Sequence, residues 1–114
     1  MSTVASLRKI SQEIELSMHP KDLPNLYFSS VRARDIDRFM ALFADDAIMI
    51  LPDGRELLGA AAIREMELAV FATSEPMPTP VAIVADENSV AVEIDVRLPN
   101  GRLLKFADFF HLNA

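Results

Sequence analysis

Apolar and polar residues alternate most regularly between Ser89 and Leu112, where SVAVEIDVRLPNGRLLKFADFFHL reads as two strands joined by a turn. Pro99-Asn100-Gly101 suits a short hairpin loop, with Pro presetting φ, Asn tolerating the second position and Gly taking the left-handed one. Leu98 then faces Arg102, and counting outward pairs Val96 with Leu104, Ile94 with Phe106, Val92 with Asp108 and Val90 with Phe110 on one face. The other face pairs Asp95 with Lys105, and these opposite charges favour this register over a tighter Asn-Gly turn. Asp108 thereby falls between Phe106 and Phe110 on a surface that is otherwise core, while His111 falls on the opposite face.

The remaining pattern is helical first and extended later. Val4, Leu7, Ile10 and Ile14 recur at helical spacing, so the spacing predicts an amphipathic first helix over Ser2 to Ser17. His19-Pro20 breaks it, and Asp22 is placed to cap a second helix reaching about Arg34, with Leu23, Leu26, Tyr27 and Val31 inward. Asp35 caps a third helix carrying Ile36, Phe39, Met40 and Phe43, closed by Asp45-Asp46. Ala47 to Leu51 and Arg55 to Leu58 form a small hairpin about Pro52-Asp53-Gly54. A helix follows from about Ala60 to Phe71, with Ile63, Met66, Val70 and Phe71 inward and Arg64, Glu65 and Glu67 outward. The proline-rich Thr73 to Pro80 reads as a loop, and Val81 to Ala85 as a strand leading into the long hairpin. Helices followed by a meander of strands indicate one α+β domain, residues 1–114, with helices on one face of an antiparallel sheet.

Composition narrows the chemistry. A net charge of -6, with 17 acids against 11 Lys and Arg that form no cluster, argues against nucleic-acid or anionic-membrane binding. With no Cys and two isolated His, thiolate chemistry is excluded and no metal or cofactor is expected. The apolar runs are too short to span a membrane and the first residues lack a signal-peptide pattern, so a cytoplasmic protein is expected. Two polar groups stand in apolar surroundings. Asp108, if buried, is a carboxyl pushed toward its neutral form, able to donate a hydrogen bond near neutral pH. Tyr27 is the inward residue of its helix with a polar tip. Each has an ordinary explanation as well, a strand acid met by an amide, Arg or water, and a core tyrosine reaching a carbonyl.

The run YFSSVRARDIDRFMALFADDA, followed by PDG, GAAAIREM and FADFFHLN, resembles the nuclear transport factor 2-like superfamily, in particular its SnoaL-like and ketosteroid-isomerase-like members. The resemblance covers about Leu23 to Asn113 and implies a cone-shaped, cystatin-like α+β roll, in which a curved antiparallel sheet wraps helices around an apolar pocket, commonly in a homodimer. Tyr27 and Asp108 fall where ketosteroid isomerases carry the tyrosine and protonated aspartic acid of the oxyanion hole. The general-base position falls on Leu51, which cannot take a proton, and Asp53 is expected to point to solvent from its turn. Relatives usually continue into one more strand, so the resemblance also implies an open sheet edge beside the last strand, with residues 1–21 as an extra helix.

Two functional readings result. In the first, the chain is a small-molecule pocket protein, with isomerase, cyclase or dehydratase chemistry open to it. Tyr27 and neutral Asp108 donate to the oxygen of a small hydrophobic ligand, and Phe39, Phe43, Leu51, Met66, Phe106 and Phe110 line the cavity. The alternative is a non-catalytic dimerisation or association domain.

Overall fold

The computed structural model describes residues 2–10, 19–73 and 78–112. Its elements are β1 (Ser2–Ile10), a 3-10 turn (Pro20–Asp22), α1 (Leu23–Ala33), α2 (Ile36–Met40), β2 (Phe43–Ile50), β3 (Glu56–Leu58), α3 (Ala60–Thr73), β4 (Pro78–Ala85), β5 (Ser89–Arg97) and β6 (Leu103–His111). The fold is α+β, and its six strands lie in the order β3-β2-β1-β6-β5-β4. All pairings are antiparallel except β1 with β6. Register shifts between Arg8 and Ile10 and between Pro80 and Ala82 add local bend and twist, which curves the sheet. The sheet stays open, with β3 and β4 at its edges.

The β5–β6 hairpin has the register that alternation predicts. Val90, Val92, Ile94 and Val96 pair with Phe110, Asp108, Phe106 and Leu104. Lys105 Nζ lies 2.7 Å from Asp95 Oδ1 on the other face. At the turn, Leu98 N–H donates to the Arg102 carbonyl at 2.8 Å and Gly101 takes φ 86°.

The first segment differs from expectation. Ser2–Ile10 is a strand rather than a helix, paired with Lys105–His111 on one side and with β2 on the other. Residues 11–18 of the expected helix lie outside the described residues. Helix propensity differs between ordinary residues by only about 0.7 kcal/mol. A slot between two strands offers the backbone two rows of partners, and tertiary pairing therefore overrides the local pattern. The edge expected to stand open beside β6 is covered by the chain's own β1.

Other boundaries move for similar reasons. α2 ends at Met40, and Phe43, assigned by spacing to that helix, instead opens β2, with Asp45 and Asp46 exposed within the strand. β4 starts inside the proline run, because an edge strand leaves one row of backbone groups unpaired and so tolerates Pro78 and Pro80. In α1, Asp22 makes no capping hydrogen bond, and the helix ends on Arg34 at φ 54°. Its buried face carries Leu23, Tyr27, Phe28, Ser30 and Val31, while Leu26 turns outward at 36% exposure. Asp35 caps α2 as expected, accepting from Arg38 N–H at 3.1 Å.

α1, α2 and α3 cover one face of the sheet, and their inner residues meet Phe43, Ala47 and Met49 of β2, Val90, Val92 and Ile94 of β5, and Phe110 of β6 in a single core. Among the described residues no helix is long and apolar enough to cross a membrane.

If β1 is a central strand, Arg8→Pro removes a ladder hydrogen bond at a residue paired with both Ile48 and His111. Urea denaturation should then register a loss on the order of 3 kcal/mol or more. A change below about 0.5 kcal/mol would contradict the pairing of this segment within the sheet.

Candidate functional site

Tyr27 is the centre of an aromatic cluster. Its ring centroid lies 4.7 Å from Phe28, 5.0 Å from Phe39, 5.2 Å from Phe110 and 6.3 Å from Phe43, mostly in edge-on or tilted contacts. Such contacts suit aromatic quadrupoles and fix the ring, and with it the direction of the hydroxyl. Phe39 and Phe43 also meet, at 5.1 Å. Leu51, Met66 and Phe106 are half-buried and pack against the core to which these rings belong. The structure thus brings the six apolar residues expected around the pocket into one interior with Tyr27.

Asp108 enters this interior from β6, flanked along the strand by Phe106 and Phe110 and paired with Val92. Burial pushes its carboxyl up to about 7. A second acid joins them. Glu67, expected to face outward, is only 5% exposed, and burial pushes its carboxyl up to about 7 as well. The Tyr27 hydroxyl is held well above its usual range, first by burial and then by the negative charges of Glu67 and Asp108. Both acids are therefore close enough for their charge to act on the phenol. The charges come from α3 and β6, while the phenol comes from α1.

The sequence pattern misplaced Glu67 because α3 is apolar on nearly every side: Ala60, Ala61, Ala62, Ile63, Met66, Leu68, Ala69, Val70 and Phe71 leave its rotation undetermined. Tertiary hydrogen bonds fix it instead. Gly59 N–H donates to the Ala47 carbonyl at 2.8 Å before the helix starts, and Arg34 Nη1 donates to the Phe71 carbonyl at 2.6 Å near its end. The inward row then becomes Ile63, Glu67 and Phe71, at i, i+4 and i+8. That spacing was the one available signal, outweighed by the usual preference of Glu for solvent.

Among the described residues, no hydrogen bond or ion pair engages the Tyr27 hydroxyl or the carboxyls of Glu67 and Asp108, yet no fully enclosed side-chain oxygen or nitrogen lacks a partner. These oxygens accordingly keep some contact with solvent-reachable space. Near neutral pH the phenol is a hydrogen-bond donor only weakly able to ionise, and each carboxyl populates both its donor and its acceptor form.

Two further residues are settled by their surroundings. The Leu51 side chain packs on the core and brings no titratable group to the base position. Asp53 sits in the β2–β3 turn, where its carboxylate accepts from Arg55 N–H at 3.0 Å and meets Arg55 Nε at 2.7 Å. The backbone hydrogen bond from Arg55, joined by its side chain, lowers the Asp53 carboxyl, so Asp53 faces solvent as a turn residue. Among the described residues no group of three or more His, Cys, Asp or Glu could hold a metal ion.

The architecture defines a class, an open-sheet α+β roll whose helices enclose a phenol and two acids in an aromatic interior. The chain belongs to the SnoaL-like domain family of the nuclear transport factor 2-like superfamily, which it matches over residues 25–114. Among solved structures it is similar to a proposed polyketide cyclase from Pseudomonas putida KT2440, with 24% identity and a TM-score of 0.70 over 86% of this chain and 85% of that one. It is also similar to an LEH-like epoxide hydrolase of Mycobacterium tuberculosis, with 14% identity and a TM-score of 0.62 over 79% and 81% of the two chains. A third is the Mycobacterium tuberculosis protein RV0760c in complex with estradiol-17beta-hemisuccinate, with 15% identity and a TM-score of 0.59 over 82% and 93%. At these identities the likeness carries the fold.

The raised carboxyls fix a pH dependence of stability. Each acid binds its proton more tightly folded than unfolded, so the stabilisation from that proton is complete below the unfolded value of about 4. It is lost as pH climbs through the folded value of about 7. At 1.36 kcal/mol per unit, each acid contributes on the order of 4 kcal/mol across that window. Urea denaturation should therefore find the protein less stable at pH 8 than at pH 5, with Glu67→Gln and Asp108→Asn each flattening the slope. A wild-type stability that holds level or rises over the interval contradicts the burial of these groups.

Proposed function

We propose that this chain binds a small hydrophobic ligand through a ligand oxygen, held by the Tyr27 hydroxyl and the protonated carboxyl of Asp108, in support of isomerase-, cyclase- or dehydratase-type chemistry. The carrying observation is that Tyr27 sits among aromatic rings 5.2 Å from Phe110, the residue that shares the inner face of β6 with Asp108, with no hydrogen bond to the Tyr27 hydroxyl or the Asp108 carboxyl among the described residues. Phe39, Phe43, Leu51, Met66, Phe106 and Phe110 supply the apolar wall. Donors held in such surroundings act on a developing negative charge with little competition from water. The RV0760c complex, with a largely apolar ligand bearing several oxygens, supports this ligand class.

The test uses 2-naphthol, an apolar bicyclic molecule whose hydroxyl imitates an enolate oxygen, with binding followed by its fluorescence. Wild type should bind it, and Tyr27→Phe and Asp108→Ala should each weaken binding about tenfold, the equivalent of one hydrogen bond of about 1.4 kcal/mol. Far-UV circular dichroism should stay unchanged. Equal binding by wild type and both folded variants would sink the proposal.

A second reading, association through the outer sheet face, is favoured by exposed apolar side chains there. Val84 is 73% exposed and Phe109 39% exposed. They line a shallow groove of about 210 Å3 together with Ala91 and His111. Such a face suits a homodimer. If it is the interface, Val84→Glu should convert a dimer to monomers in sedimentation equilibrium without weakening 2-naphthol binding. A wild type that stays monomeric up to high micromolar concentration contradicts this reading.

A further inference from the structure

We propose that Glu67 is the base of this site and transfers a proton to and from an enolisable ketone whose carbonyl oxygen is held by Tyr27 and Asp108. The inference rests on the ligand site proposed above and adds the group that such a site otherwise lacks, since Leu51 occupies the expected position for a base. The carboxylate arrives instead from a different element.

The geometry argues for this in three ways. First, α3 is held in rotation at both ends, by Gly59 N–H on the Ala47 carbonyl and Arg34 on the Phe71 carbonyl, so the inward aim of Glu67 is built into the fold. Second, burying an unpaired carboxyl opposes folding by several kcal/mol, and two residues away Glu65 is exposed with no such cost. Among the described residues Glu67 has no hydrogen bond or ion pair that would give it a structural role. Third, Glu67 lies between Ile63 and Phe71 on the row that α3 buries in the core holding Tyr27, and Phe110, 5.2 Å from the Tyr27 ring, is two residues from Asp108 on the same face of β6.

The surroundings leave its proton affinity to burial. The elements packed on α3 offer inward Ala47 and Met49 from β2, Phe39 from α2 and Leu57 from β3, none of them titratable. Among the described residues, the ionisable groups that share this interior with Glu67 are Tyr27 and Asp108. Burial alone raises Glu67 to about 7, which is where a base is both sufficiently ionised and sufficiently basic at neutral pH.

The step balances without a co-reactant. The carboxylate of Glu67 removes a hydrogen from the carbon next to the carbonyl as a proton, breaking the C–H bond and forming an O–H bond on Glu67. The C–H electron pair becomes the new C=C bond, while the carbonyl π pair moves onto oxygen, where Tyr27 and neutral Asp108 hold the enolate charge. Return of the proton, to the same carbon or to a conjugated one, restores the carboxylate and gives exchange or isomerisation.

The experiment follows deuterium exchange into 2-tetralone by NMR in D2O, beside 2-naphthol binding. Wild type should accelerate exchange with a bell-shaped pH profile centred near 7, since the reaction needs ionised Glu67 and protonated Asp108 together. Glu67→Gln should lose at least about 100-fold in exchange rate while binding 2-naphthol within threefold of wild type. Glu67→Asp, which keeps a carboxylate on a shorter stem, should recover part of that loss. Exchange by Glu67→Gln within threefold of wild type overturns the assignment, and so does a wild-type rate that does not fall on the acid side of the profile. Wild type that binds 2-naphthol without accelerating exchange overturns this inference and leaves the ligand site standing. Wild type that fails to bind 2-naphthol overturns both.

Discussion

The register of β5 against β6 is the constraint on which the site depends. Side chains alternate across a strand, so a slip of one residue would carry Asp108 to the outer face and bring Ala107 or Phe109 into its place. The Pro99-Asn100-Gly101 turn and the Asp95–Lys105 pair act on the solvent side of that choice, and Val90, Val92, Ile94, Phe106 and Phe110 act on the core side. An exposed ion pair contributes little energy, typically no more than about 1 kcal/mol. Its importance here is that it agrees with the turn and with the apolar pairing. Opposing a slip are several buried side chains at once, each contributing about 1.5 to 3 kcal/mol on burial. The placement of one carboxyl is therefore secured by the packing of residues that never touch a ligand.

That security explains how acids survive in an aromatic interior. A carboxyl held away from water opposes folding once it ionises, and here buried Glu67 and half-buried Asp108 share an interior with one phenol. The fold tolerates them because at neutral pH each can retain its proton, which lowers the desolvation cost that a charge would incur. Tyr27 in turn is fixed by four aromatic neighbours, with no hydrogen bond to its hydroxyl among the described residues, which leaves that hydroxyl available. Rigid rings with unengaged polar tips are the arrangement that preorganised recognition of an oxygen calls for.

The long hairpin, the Asp35 cap, the β2–β3 turn and the placement of Asp108 and Tyr27 were legible in the residues, because local chemistry and tertiary packing agree there. Ser2–Ile10 was not legible: Val4, Leu7 and Ile10 fit a helix stripe, and only the strands on either side, distant in sequence, give that segment a reason to extend. Phe43 misled for the converse reason, since one aromatic residue at helical spacing cannot reveal that the helix has already ended at Met40. Glu67 was hidden by the near-uniform apolarity of α3, whose rotation is fixed by Gly59 and Arg34 through contacts outside the helix. The two chemically important acids thus differ in kind. Strand alternation reveals Asp108, whereas Glu67 becomes visible only once the helix is docked.

The central claim is that burial raises the Asp108 and Glu67 carboxyls to about 7 in an interior shared with Tyr27. The most direct measurement is an NMR titration of the side-chain carboxyl carbons, assigned by comparison with Asp108→Asn and Glu67→Gln. Midpoints near 7 for both, well separated from the surface acids, are the predicted result. Midpoints near 4, the ordinary carboxyl value, would mean that both groups are solvated or paired and would contradict the account.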